Sequence, residues 1–256
     1  MHLIDTHTHL YSEKFNDDRE ERIQAAIKAG VSQFFMPNID STSIAGMKDL
    51  VQKYPNHCFA MMGLHPCSVG ANVEEELELV ERELKTGKFI AVGEIGMDLY
   101  WDKSFHKEQE MAFRKQIQWA KQLNLPIDIH CRDAFEEILA IMDEENDENM
   151  RGVFHCFTGT LEQARHILNY GGFKLGIGGV VTFKNSGLDK VVKELSLKDL
   201  VLETDSPYLA PTPFRGKRNE SAYLLNVADK ISDIFEVSVA RVAEVTTKNA
   251  LEIFQP

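Results

Sequence analysis

The chain has only four cysteines in 256 residues, and no two of them stand in a CxxC spacing. That excludes a disulfide-built scaffold and a cysteine zinc ribbon. Cys58, Cys131 and Cys156 fall on apolar, strand-like runs and Cys67 in a loop, so buried or half-buried free thiols and a reducing compartment are expected. No apolar stretch reaches the ~18 residues of a membrane-spanning helix. The sequence opens MHLIDTHTHL, without a basic segment ahead of an apolar core, so no secretory signal is expected and the location inferred is cytoplasmic. Positive charge is scarce as well: 28 Lys and Arg against 40 Asp and Glu leave a net charge of −12. A protein that coats nucleic acid by bulk electrostatics is thereby excluded. An enzyme that grips a few phosphates is not, because bound dications would invert the field inside its site. Low-complexity runs, long linkers and internal repeats are also missing. No exposed apolar helix face stands out, so a monomer without an obligate protein partner is expected.

What is present is a regular alternation. Apolar strand-like runs at 3–10, 31–37, 58–66, 89–96, 125–131, 153–157, 173–179 and 200–205 are separated by helix-period segments. The helices are expected at 18–29, 43–54, 73–84, 107–123, 134–143, 160–170, 221–235 and 238–254. In the first, Ile23, Ala26 and Ile27 share a face and Gly30 ends it; in the longest, Phe113, Ile117 and Ala120 keep the spacing of a buried stripe. The reading is eight strand–helix units plus an extra helix, and such alternation implies a parallel α/β sheet. The length is close to the ~250 residues of a (β/α)8 TIM barrel. One domain over residues 1–256 is therefore expected. An open doubly wound sheet is the structural rival, but it would not bring the ends of the first and eighth strands together.

Those ends matter because of what they carry. His7, His9, Glu94, His130, His155 and Asp205 each stand where an apolar run breaks off. All six are metal-ligand types, and strand alternation points His7 and His9 to the same side. Asp5 behind them is either a core polar group or an orienter of an imidazole. A barrel builds its site on the C-terminal face of its strands, where these residues would meet. Four histidines and two carboxylates exceed the three protein ligands one catalytic metal commonly takes. Two divalent ions about 3.5–4 Å apart would use all six, with Glu94, halfway round the ring, as the bridging and catalytic carboxylate. Asp205 could bind metal and accept the proton of the attacking water, leaving a metal-bound hydroxide as nucleophile. Imidazole-rich ligation suits Zn, Mn, Fe or Co, and the carboxylates leave Mg open.

The motifs DTHTHL, GLHP, GEIGMD, IHCRDA, FHCFTG, GIGGVVTFKNS, ETDSPYLAP and RGKRNESAY occur in this order along nearly the whole chain. The series resembles the TatD family of metal-dependent deoxyribonucleases, within the amidohydrolase-like barrel superfamily. The resemblance implies that His7, His9, Glu94 and Asp205 hold one metal, and Glu94, His130 and His155 the other. It implies that His65, in GLHP, faces the site and contacts substrate phosphate or a further ion. It also implies hydrolysis of DNA phosphodiesters, often exonucleolytically from the 3′ end, with single-stranded DNA or 3′ ends as substrate. This chain departs from many relatives at Cys131 (Ser or Thr), Ser221 (Pro) and Cys67 (His in some), which touches substrate preference and not metal binding.

Beyond the ligands, Arg132 is a candidate for bidentate phosphate binding or for a surface ion pair with Asp133. Arg215, Lys217 and Arg218 place three positive charges after the eighth strand, where this fold often binds phosphate. Tyr100 and Trp101, after the fourth strand, could stack on a base or merely pack. The functional rival is a binuclear amidohydrolase acting on a small amide, lactone or cyclic ureide. Such enzymes often bridge their metals with a carboxylated lysine on the fourth strand, where this chain has Glu94. A vestigial, non-enzymatic barrel is the second rival, and it would be expected to have lost a ligand.

Overall fold

Every apolar run becomes a parallel strand in the computed structural model, which describes residues 2–256. The strands are β1 (Leu3–Asp5), β2 (Val31–Pro37), β3 (Cys58–Met61), β4 (Val92–Asp98), β5 (Ile127–Arg132), β6 (Gly152–Phe154), β7 (Phe173–Ile177) and β8 (Leu200–Leu202). Regular ladders join β1-β2-β3 into one sheet and β4 to β8, in sequence order, into another. Backbone hydrogen bonds cross both gaps between them. On one side Met62 N–H donates to Ala91 O at 3.1 Å and Gly93 N–H to Met62 O at 3.1 Å. On the other, Thr6 N–H donates to Leu202 O at 3.1 Å and Asp205 N–H to His7 O at 2.9 Å.

The crossovers are helical: α1 (Arg19–Ala29), α2 (Ile44–Lys53), α3 (Val73–Leu84), α4 (His106–Leu123), α5 (Phe135–Glu145), α6 (Leu161–Asn169) and α7 (Leu188–Lys193), with α8 (Leu224–Phe235) and α9 (Val239–Phe254) closing the chain. Local chemistry explains their limits. In α3, Glu74, Glu75 and Glu76 complement the positive end of the helix dipole, while Val73, Leu77, Val80 and Leu84 are buried along one stripe. Thr160 and Gln163 close a capping box on α6. Gly30 ends α1 at φ 103°, a left-handed conformation glycine adopts without strain.

Most buried apolar side chains lie between the helices and the sheets. A second, smaller cluster joins residues of both sheets. Ile4, Phe35 and Met61 from the first sheet meet Val153 and Val201 from the second, and Ile253 and Phe254 of α9 fill the space beside them. The Phe254 ring stands edge-on to Phe35 at 4.9 Å between centroids.

Three sequence expectations are corrected. β1, β6 and β8 stop before the polar residues they were expected to carry, so His7, His9, His155 and Asp205 sit on the turns that follow. Cys156 consequently lies beyond its strand, at φ 46°, and Cys67 is exposed on a short 3-10 turn (Pro66–Ser68) rather than half-buried. The segment between β7 and β8 contains α7, too short to show a helical period, with Leu188 and Val192 as its buried anchors. Among the described residues no helix is long and apolar enough to cross a membrane.

Phe254→Ala should cost about 3–5 kcal/mol, since it empties a well-packed aromatic site. Urea unfolding should show this as a lower midpoint. Metal affinity should stay unchanged, because α9 packs far from the strand ends where the polar cluster gathers.

Candidate metal centre

The two sheets deliver their polar strand endings to one place. Glu94 lies in the middle of β4 and is only 2 % exposed. A carboxylate there needs partners, because burying an unpaired charge is costly. Its two oxygens have different ones. Oε1 faces His130 Nδ1 at 2.8 Å, His155 Nε2 at 3.1 Å and His65 Nε2 at 3.3 Å. Oε2 faces His7 Nε2 at 3.3 Å and His9 Nε2 at 3.7 Å. Asp205 Oδ1 approaches the second group, 3.4 Å from His9 Nε2 and 3.8 Å from His7 Nε2. The left-handed turn at Asp205, φ 54°, folds its carboxylate back over the cluster.

The imidazoles are held from behind. His7 Nδ1–H donates to Asp128 Oδ2 at 2.8 Å, which leaves Nε2 aimed at Glu94. Tyr11 O–H donates to the Pro37 carbonyl, so the 2.7 Å contact between Tyr11 and His9 must use His9 Nδ1–H as donor. His9 Nε2 is thereby left as an acceptor as well. His130 is turned the other way: Nε2 contacts Asp98 Oδ2 at 3.0 Å and Nδ1 faces Glu94. His155 stacks on His7 at 3.7 Å between ring centroids, with its Nδ1 3.3 Å from Glu203 Oε1. Glu203 fits only because residue 176 is glycine; a Cβ there would stand 2.1 Å from Glu203 Oε2.

Lone-pair nitrogens converging on a shared carboxylate fit a cation. His7, His9 and Glu94 offer ligand atoms within 4.8 Å of one another, as do His7, His155 and Asp205 and also His65, Glu94 and His130. His65 differs from the rest, however. Its Nδ1 accepts the Cys67 N–H at 3.0 Å, so in the neutral ring Nε2 carries the hydrogen. Burial pushes His65 below the usual imidazole range. It is a neutral donor rather than a lone-pair ligand.

Protons do what cations would otherwise do. Burial and the charge on His155 oppose protonation of His7, yet Asp128 and Glu94 raise it to about 10. Burial opposes protonation of His155 too, but Glu94 and Glu203 hold it well above the usual range. Burial alone would raise the Glu94 carboxyl, but the surrounding imidazoles hold it well below the carboxylate range. Asp205 is likewise lowered, against burial, by the His9 hydrogen bond and the neighbouring imidazoles.

A cavity of about 710 Å³ opens above this cluster, and His9, His65, Glu94, His130, His155 and Asp205 all reach its wall. His7 lies beneath it, fully buried. Arg132 lines the same cavity and pairs with no carboxylate among the described residues; its guanidinium lies 3.9 Å over the Tyr100 ring. In the loop after β8, Arg215 stacks on Phe183 at 3.6 Å and, like Lys217, is exposed. Arg218 is committed elsewhere: its guanidinium donates to both Asp18 oxygens, at 2.8 and 2.6 Å, and packs over Phe15.

The sequence analysis missed the supporting acids Asp98, Asp128 and Glu203, and the hydroxyl of Tyr11. Asp128 and Glu203 had a legible signal, since each is a charged residue inside an apolar strand-like run. Asp5 turns out to hold no imidazole. It accepts the Thr204 N–H at 2.8 Å and the Thr204 hydroxyl at 2.7 Å, pinning β1 to the segment after β8. Thr8, between the paired histidines, bonds Ser206 at 2.6 Å and Ser221 at 3.3 Å, so Ser221 adds a hydroxyl to the packing of this turn.

Comparison with known proteins bears directly on this centre. The family model described as TatD related DNase matches residues 4–255. The chain belongs to the TatD family. It is 41% identical over 254 residues to the uncharacterized metal-dependent hydrolase YabD of Bacillus subtilis, with 99% of each chain covered. It is 29% identical over 258 residues to the 3'-5' ssDNA/RNA exonuclease TatD of Pantoea ananatis, covering 98% of this chain and 99% of that one. The crystal structure of YjjV, a TatD homologue from Escherichia coli K12, matches with a TM-score of 0.93 at 29% identity, over 99% of this chain and 98% of the other. This TatD-family chain is accordingly a metal-dependent hydrolase.

Two outcomes are expected at the centre. Asp128→Ala should weaken Zn2+ or Mn2+ binding by about 10- to 100-fold in calorimetric titration, because it frees the His7 ring to turn. Asp128→Asn, which keeps an acceptor oxygen, should lose less. The second concerns protons. With its value raised from 6.5 to about 10, His7 stabilises the metal-free fold fully below pH 6.5, and that contribution is lost as the pH rises towards 10. A cation must displace this proton. Titration with Zn2+ at pH 8, in buffers of different ionisation enthalpy, should show release of at least one proton per chain. Buffer-independent heats would contradict the protonated His7.

Proposed function

We propose that this hydrolase cleaves phosphodiester bonds of DNA, working from a 3′ end, with one divalent cation on each side of Glu94. The observation that carries the reading is the division of the Glu94 carboxylate, Oε1 towards His130 and His155 and Oε2 towards His7 and His9. His7, His9, Glu94 and Asp205 would hold one ion and Glu94, His130 and His155 the other. When bound, such ions supply Lewis acidity, an acidified water and charge to offset a phosphorane-like transition state. Zn, Mn and Mg are the candidates.

The chain's own groups do the rest. Asp205, half-open to the cavity with 14 % of its side chain exposed, accepts the proton of the attacking water. His65 donates Nε2–H to a non-bridging phosphoryl oxygen, a role its tautomer suits. Arg132 offers a fork for a neighbouring phosphate, as do Arg215 and Lys217 further out. Arg218 serves by bracing the loop through Asp18.

The frame for this chemistry is read as a closed (β/α)8 barrel with the site at the C-terminal ends of its strands. Backbone bonds across both gaps and the shared inner cluster support that closure. The name of the Pantoea ananatis relative supports a nucleic-acid substrate. No lysine lines the cavity among the described residues, which disfavours the carboxylated-lysine chemistry of amidohydrolases. Four free cysteines suit a reducing, cytoplasmic setting, and a monomer suffices because the described site draws on one chain.

Glu94→Ala should abolish metal-dependent digestion of single-stranded oligonucleotides while leaving the circular dichroism spectrum unchanged. Oligonucleotides labelled at either end report the polarity, with 3′ label released first. Retained cleavage in the variant would sink the two-ion reading.

A further inference from the structure

We infer that Trp101, braced by Tyr100 and Arg132, is a stacking subsite for one unpaired nucleobase at the mouth of the metal cavity. The proposal rests on the nucleic-acid reading above and names the part of the substrate that this rim would hold.

The chain's two tryptophans are treated oppositely by the fold. Trp119 is packed in α4 at 7 % exposure, whereas Trp101 is 69 % exposed and forms part of the cavity wall. An exposed indole at the cavity's edge is a large apolar surface left in water. Its orientation is not left to chance. Asp98 Oδ1 accepts the backbone N–H of Tyr100 at 3.0 Å and of Trp101 at 3.2 Å. Asp98 is itself anchored by Gln109 of α4, whose Oε1 accepts the Asp98 N–H at 2.9 Å. The Tyr100 and Trp101 rings stand edge to face at 86°, 4.9 Å apart. Arg132 covers the Tyr100 face and lies 5.1 Å from the centre of the Trp101 ring.

This arrangement selects a ligand chemistry. A planar, partly apolar group is wanted over the indole, with an anion within reach of a guanidinium that has no carboxylate partner among the described residues. A nucleobase joined to its phosphate has both features, and base–aromatic stacking tolerates any base because each has a π face. A base inside a duplex is already stacked and cannot use the platform. A neighbouring groove of about 620 Å³ shares Cys131, Arg132 and Thr158 with the cavity, but Asp133, Glu136 and Glu137 also line it, so the phosphate grip is confined to the Arg132 end. The platform is also tied to the metal centre. The same Asp98 carboxylate that fixes the aromatic loop contacts His130 Nε2 through its other oxygen.

The test compares normal and base-deleted strands on the metal-loaded protein. A phosphorothioate-linked single-stranded hexamer should quench tryptophan fluorescence, and the same hexamer with an abasic position at the stacked nucleotide should quench much less. Trp101→Phe should remove the quenching, since buried Trp119 cannot supply it. In hydrolysis of the ordinary oligonucleotide, Trp101→Ala should raise KM about 10- to 100-fold with little change in kcat, and Trp101→Phe should recover most of the loss. On the abasic strand, wild type and Trp101→Ala should be alike. Equal losses on both strands, or quenching indifferent to the base, would overturn the proposal. Base-dependent quenching without any hydrolysis would keep the subsite and overturn the nuclease reading. Hydrolysis unaffected by Trp101→Ala would keep the nuclease reading and overturn the subsite.

Discussion

The histidine cluster beyond the strand ends is arranged around one carboxylate that has been taken out of water. Glu94 is almost fully buried, and removing an ion from water costs several kcal/mol before compensation. Among the described residues no Lys or Arg pairs with it. The compensation comes from imidazoles, which can be either proton carriers or metal ligands. That choice makes the centre convertible. Protons on His7 and His155 offset part of the buried negative charge without a cation, and with cations the same nitrogens would serve as ligands. A lysine or arginine in their place would have neutralised Glu94 permanently and closed the site to metal.

The backbone makes this possible by ending strands early. β1, β6 and β8 stop one to four residues before the polar side chains they deliver. The ladder bonds then give way to hydrogen bonds between turns, such as Asp205 N–H to His7 O and His9 N–H to Ser206 O at 2.8 Å. Those bonds bind the start of the chain to a segment some two hundred residues later. Close approach between β4 and β5 depends on Gly96, whose φ is 136° and whose missing Cβ would lie 2.0 Å from His130 O. The apolar inner cluster fills the space below. The site is therefore positioned by structure that lies outside it, in packing and in backbone bonds.

How much of this could be read from the sequence follows from the range of each signal. Alternating apolar runs and helix stripes are local, so the eight strands and the long helices were legible, while six-residue α7 fell below the period needed to see it. The candidate cluster was legible because six residues of metal-ligand chemistry end five apolar runs. Their partners were harder. Asp128 meets His7 across 121 positions of sequence, and that register is set by the fold. Asp5 illustrates the opposite error. It stands two residues from His7 and so suggested an orienting role, but the backbone turns between them and hands Asp5 to Thr204. Arg218 belongs with Asp18 for the same reason: a basic loop residue cannot be told from an ion-pair member until the facing helix is in place.

The net negative charge and the proposed phosphate-binding cavity bear on each other. With 40 acidic against 28 basic residues, long-range attraction to a polyanion is weak. Any grip on nucleic acid must then come from short-range terms, and these operate only where substrate is already docked. Arg132 shows how that is achieved, since its charge is spread over a Tyr100 face instead of being cancelled by a carboxylate. Stacking on an uncharged indole is also insensitive to the surrounding field. An acidic enzyme that held duplexes by phosphate contacts alone would lose them at moderate salt. One that joins an aromatic surface to an ion-filled cavity gains its hold locally, at a strand end that can be threaded to the metal. Asp98 makes the two halves answerable to each other, because its two oxygens are shared between the aromatic loop and His130. The position of the base platform and the position of a metal-facing imidazole are thus set by the same side chain.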